Sequence, residues 1–82
     1  MKRFSNSMVC ELLSAKIEDQ NGKKKNYVSV LREDESIKMT CNDVAIFAKI
    51  QSFPKMTCLN IEFECQTYKD ELYFQVLKLL KV

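Results

Sequence analysis

Through most of this chain the apolar residues recur at every second position, the period of a strand that buries one face. From Met8 to Ile17 one face reads Met8, Cys10 and Leu12, and the apolar set then shifts to Leu13, Ala15 and Ile17. Such a change of phase flips the buried face, so the spacing predicts a bulge or sharp bend within one strand. Asn21-Gly22 follows, the strongest short hairpin signal because both positions of the favoured turn need positive φ. "NYVSVLRE" then sets Val28 and Val30 on one side, with Tyr27, Ser29 and Leu31 on the other. After an acidic turn at "EDES", "SIKMTCN" alternates Ile37, Met39 and Cys41 inward with Lys38 and Thr40 outward.

The period changes at "NDVAIFAKIQSF". Val44, Phe47 and Ala48, with Ile46, Ile50 and Phe53, recur at three- and four-residue steps, a wide helical stripe. Asn42 or Asp43 supplies the N-cap, and Pro54 stops the helix by disfavouring helical geometry in the residue before it. One helix of about two to three turns is expected. Two strands complete the chain. "TCLNIEFECQ" turns Leu59, Ile61, Phe63 and Cys65 inward and Asn60, Glu62 and Glu64 outward. Beyond a turn at "TYKDE", "LYFQVLKLLKV" shows Leu72, Phe74 and Val76 on one face and Tyr73, Leu77 and Leu79 on the other.

Short strands in this number need closure or a second layer, since an open sheet leaves edges and a bare apolar face. One short helix cannot cover such a sheet, but it can plug the end of a small barrel. The order β-β-β-α-β-β with a bent first strand resembles the OB-fold, a five-stranded Greek-key barrel with the same element order. The resemblance spans nearly the whole chain, so residues 1–82 are expected to form a single OB-like domain of mainly β structure. A ferredoxin-like arrangement needs a second helix, for which no segment remains. An SH3-like barrel does not usually hold a helix of this length.

Composition narrows the chemistry. The chain has no histidine and a single glycine, so it offers neither an imidazole base nor a glycine-rich phosphate loop. Cys10, Cys41, Cys58 and Cys65 lie far apart with no Cys-x-x-Cys pair, which disfavours zinc and favours buried free thiols. None stands in a motif that lowers a thiol pKa. Glu62 and Glu64 share a strand face, but such pairs are ordinarily solvated rather than metal-binding. The expectation is a protein without catalysis, cofactor or metal. "MKRFSNSMV" has two cations with no apolar core behind them, and no window reaches the length of a membrane span. A cytoplasmic location and no membrane partner are therefore expected.

Lys+Arg 13 against Asp+Glu 11 leaves +2, so an argument for nucleic acid must rest on where the charges sit. OB-folds that bind single strands use the face of strands two and three and the loops after strands one and four. By that resemblance the first loop is "DQNGKKKN", with Lys23, Lys24 and Lys25, and the second is "QTYKDE", with Tyr68 and Lys69. Tyr27 and Arg32 belong to strand two, and Lys38 points outward from strand three. Lysines suit phosphates, and tyrosines offer planes for unstacked bases.

These residues and this strand order are similar to the small OB-type single-stranded-DNA-binding proteins of phages and mobile genetic elements. Such proteins lack catalytic groups and commonly act as dimers. Many carry an aromatic-rich wing, where this first loop has lysines and Tyr27 alone at its end. The resemblance implies binding of single-stranded nucleic acid with low sequence specificity, DNA ahead of RNA. The alternative is a protein-interaction adaptor, or a homodimer, that uses Tyr73, Leu77 and Leu79 on the outer face of the last strand.

Overall fold

In a computed structural model the backbone is described for residues 2–81, and the side chains at positions 2, 3, 68 and 81 lie outside the described residues. The elements are β1 (Lys2–Gln20), β2 (Lys23–Arg32), β3 (Glu35–Thr40), α1 (Val44–Gln51), β4 (Cys58–Tyr68) and β5 (Glu71–Lys81). The strands close into a barrel in the order β1-β2-β3-β5-β4, with β4 returning to β1. This is the OB-like, mainly β architecture that the element order predicts, with its helix between the third and fourth strands.

Local chemistry accounts for the path. At the β1–β2 turn Asn21 (φ 53) and Gly22 (φ 80) both take positive φ, and the Gly22 N–H donates to Asp19 Oδ1 at 3.1 Å. The same two-residue geometry recurs without glycine at Glu33-Asp34 (φ 51 and 67) and Lys69-Asp70 (φ 50 and 63). The change of phase in β1 is a register shift between Leu12 and Ser14: Leu12 faces Val30, whereas Ser14 faces Ser29. The intervening Leu13 re-aims the strand, so that β1 pairs with β4 in its first half and with β2 in its second. Closure between β3 and β5 is short, with a parallel pairing at Thr40↔Gln75 beside a bond from Thr40 Oγ1 to the Phe74 carbonyl at 3.4 Å.

The core joins Met8, Cys10, Leu12, Val28, Val30, Met39, Cys41, Leu59, Ile61 and Val76 to Phe47 and Ile50 of α1. Asp43 caps the helix, its Oδ1 accepting from the Ala45 and Ile46 N–H groups at 2.9 and 3.2 Å. The buried stripe is Phe47 and Ile50, flanked by half-buried Ile46 and Phe53. Val44, expected in that stripe, is exposed, because it opens the first turn beyond the barrel rim.

Three other expectations are corrected. Ile17 lies on the inward side, opposite Asn26, yet is exposed, since the β1–β2 hairpin projects past the barrel and nothing faces it there. Leu72 is exposed for the same reason at the start of β5. Leu79 is not on the outer face: β5 carries register shifts that pair Val76 with Phe63 and Leu79 with Ile61, and Leu79 packs against the core. Leu77, within the first shift, is half-buried at a shallow cleft with Phe4, Ser5 and Glu64.

All four cysteines are free thiols, three of them buried and Cys58 exposed. Burial pushes the Cys10 thiol up to about 11, with Cys58 and Glu11 adding to the effect and Arg32 opposing it. Burial also raises Cys41, against a bond from its thiol to the Asp43 carbonyl. Both are neutral near pH 7 and poor nucleophiles. No described helix is long and apolar enough to cross a membrane.

Candidate nucleic-acid interface

Pairing through the two-residue turns decides which side chains share a surface. Across Asn21-Gly22, Lys23 faces Gln20, Lys25 faces Glu18 and Tyr27 faces Lys16. Across Glu33-Asp34, Tyr27 faces Thr40 and Ser29 faces Lys38. Because Val28, Val30 and Met39 point into the core, these partners all point out. The outer face of β1, β2 and β3 thus collects Lys16, Lys23, Lys25 and Lys38 around Tyr27, with the carboxylate of Glu18 beside them and that of Glu11 further along the face, opposite Leu31. Glu62 and Glu64 lie on β4, opposite Ser7 and Ser5 of the other half of β1, so the barrel wall separates them from this face.

Tyr27 is half-buried at the centre of the lysines. Lys38, its diagonal neighbour on β3, reaches across it: Nζ lies 4.3 Å from the centre of the ring and 2.6 Å from Glu18 Oε2 on β1. The ammonium group is therefore held at once by a ring face and a carboxylate.

The other expected residues divide. Lys24 points to the opposite side of the hairpin, directly across from Asp19. Arg32 is not part of this surface: it shares the side of Val30 at the far end of β2, near enough to Cys10 to lower its pKa. Lys69 occupies the exposed β4–β5 turn. Since β5 runs parallel to β3, that turn lies upstream of their seam, whereas the Asn21-Gly22 tip lies beyond its downstream end. Lys69 therefore stands at the opposite end of the barrel from Lys23. Tyr68 ends β4, and its side chain lies outside the described residues.

Lys16 joins the expected residues, and the sequence carries a signal for it. A two-residue turn at Asn21-Gly22 puts residue 16 opposite residue 27 by counting outward from the turn. Among the described residues no group of three or more histidine, cysteine or carboxylate side chains is placed to hold a metal. No protein-family model, curated protein or solved structure matches the chain, so the site is read from its own geometry.

Proposed function

We propose that this protein binds single-stranded nucleic acid without catalysis and with low sequence specificity, on the outer face of β1, β2 and β3. The observation that carries the reading is the charge asymmetry of that face: Lys16, Lys23, Lys25 and Lys38 surround Tyr27, against Glu18 beside them and Glu11 further along, opposite Leu31. Lysines there follow a phosphate backbone, while the tyrosine ring supplies a surface for a base. DNA is placed ahead of RNA by the resemblance to the small OB-type proteins of phages and mobile elements. The exposed free thiol of Cys58 is consistent with action in a reducing cytoplasm.

Variants separate the two halves of the site. Lys16→Ala and Lys25→Ala should each flatten the salt slope of single-strand binding by about 0.7. Lys24→Ala should leave that slope unchanged, because this lysine faces Asp19 on the other side. Tyr27→Ala should weaken binding by about 1–3 kcal/mol with little change in slope, since stacking releases no counterions. Equal effects of Lys24→Ala and Lys25→Ala on the slope would remove this face from consideration.

One observation favours a second reading. Phe4 and Leu72, 58% and 61% exposed, lie with half-buried Phe74 and Leu77 on the extension formed by β1, β4 and β5. An adaptor or a homodimer would use this surface, with exposed Tyr73 on the other face of β5, and its binding would resist salt. Sedimentation at high salt tests it: a monomer at high micromolar concentration argues against the homodimer.

A further inference from the structure

The reactive surface of the proposed site is occupied by the protein itself. Lys38 lies on a Tyr27 ring face where a base would stack, and Glu18 holds its ammonium at 2.6 Å, as a phosphate oxygen would. The three residues come from three adjacent strands, and register brings them together: Glu18 on β1 and Lys38 on β3 are both diagonal neighbours of Tyr27 on β2. We propose that Glu18 is an internal stand-in for phosphate, latching Lys38 over Tyr27 until the backbone of an incoming strand displaces it. This rests on the reading of the face as a single-strand site and adds to it how the site is regulated.

The strength of the latch fits that role. The Lys38 and Glu18 side chains are 52% and 40% exposed, so their ion pair is screened and weak, and an exposed ammonium–ring contact is of similar strength. A single base stacked on a tyrosine together with one phosphate contact outcompetes both. A solitary anion offers Lys38 only an exchange of one carboxylate for another charge, with no base to take the ring. The latch therefore favours ligands that present a phosphate and an unstacked base together, which single strands do and duplexes do not. Opening moves one lysine from a protein carboxylate to a nucleic-acid phosphate, so breaking the Glu18 pair costs the complex affinity without changing the number of phosphate contacts.

The test is a cycle of four proteins, the parent, Glu18→Gln, Lys38→Gln and the double variant, titrated against labelled oligothymidine at several salt concentrations. Glu18→Gln should bind about two- to tenfold tighter than the parent with a nearly unchanged salt slope, because Lys38 meets a phosphate in both complexes and only the cost of breaking its pair with Glu18 is removed. In the Lys38→Gln background the Glu18 change should have little effect. Tighter binding by Glu18→Gln when the parent binds undetectably would be the same result in stronger form. Binding by the parent with no gain in Glu18→Gln overturns the latch while leaving the proposed function intact. A gain that persists undiminished without Lys38 also overturns it, because Glu18 would then act only by repelling phosphate. If none of the four binds, the single-strand reading fails and the latch fails with it.

Discussion

Replacing Ile50 by alanine tests whether α1 is a structural plug or an ornament on a barrel that stands without it. Ile50 is fully buried (0% exposed) and lies in the same core cluster as Val30, Leu59 and Ile61. The substitution removes three carbon atoms at about 0.8 kcal/mol each, roughly 2–2.5 kcal/mol of lost transfer energy. A core closed by strands on all sides collapses poorly around a void, so the residual cavity should bring the cost to about 3–4 kcal/mol. Domains of this size typically have about 4–12 kcal/mol of stability, so a large part would go. The melting temperature should fall by roughly 12–30 °C. Val44→Ala, in the same helix but 74% exposed, is the internal control. It should change stability by no more than about 0.5 kcal/mol, with alanine's higher helix propensity offsetting lost contacts. Urea denaturation followed by circular dichroism, with the two variants beside the parent, gives both numbers. A cost below about 1 kcal/mol for Ile50→Ala, or equal costs at the two positions, would refute the assignment of the buried stripe to Phe47 and Ile50.

The Glu33-Asp34 turn takes left-handed backbone at both positions without a glycine; Glu33→Asn with Asp34→Gly, the pair already used at the first turn, should stabilise the protein by about 1 kcal/mol in denaturant titrations. The buried Cys10 thiol stays protonated up to about 11, against 9.0 for an ordinary thiol. An unfolded chain releases this proton first, so the stability present below pH 9 should decline between pH 9 and 11, by on the order of 1–2 kcal/mol. Cys10→Ala should make that decline shallower in melts recorded across the same range, and an unchanged decline would assign it to other groups.

The barrel was legible in the sequence because burial and strand period agree along most of it. Val28, Val30, Met39, Leu59, Ile61 and Val76 all alternate into the core, and the bulge at Leu13 shows as a change of phase. The last strand was not legible in the same way. "LYFQVLKLLK" is apolar on both faces, so its register shifts leave no visible change of phase, and Leu79 was assigned to the wrong side. Ile17 and Leu72 misled for a different reason. Alternation reports the side on which a residue lies, not whether the hairpin there still has a barrel to cover it. Among the expected site residues, register places Lys23, Lys25, Tyr27 and Lys38 on one outer face and Lys24 and Arg32 on the other side of β2, a division that residue type and nearness along the chain do not show. Lys16 and the Glu18–Lys38–Tyr27 contact emerge only when register is counted across three strands from two turns.

The central claim is that the Tyr27 face receives a single strand, and anisotropy of labelled oligothymidine, with a matched RNA and a duplex, tests it most directly. Three or four phosphate contacts, from Lys16, Lys23, Lys25 and a displaced Lys38, give a salt slope of about 2–3 for a single strand. Affinity for oligothymidine should therefore fall roughly twenty- to fiftyfold between about 50 and 200 mM salt, with the duplex weaker than the single strand throughout. Absence of binding at the lower salt, or binding that does not weaken as salt rises, would contradict the account.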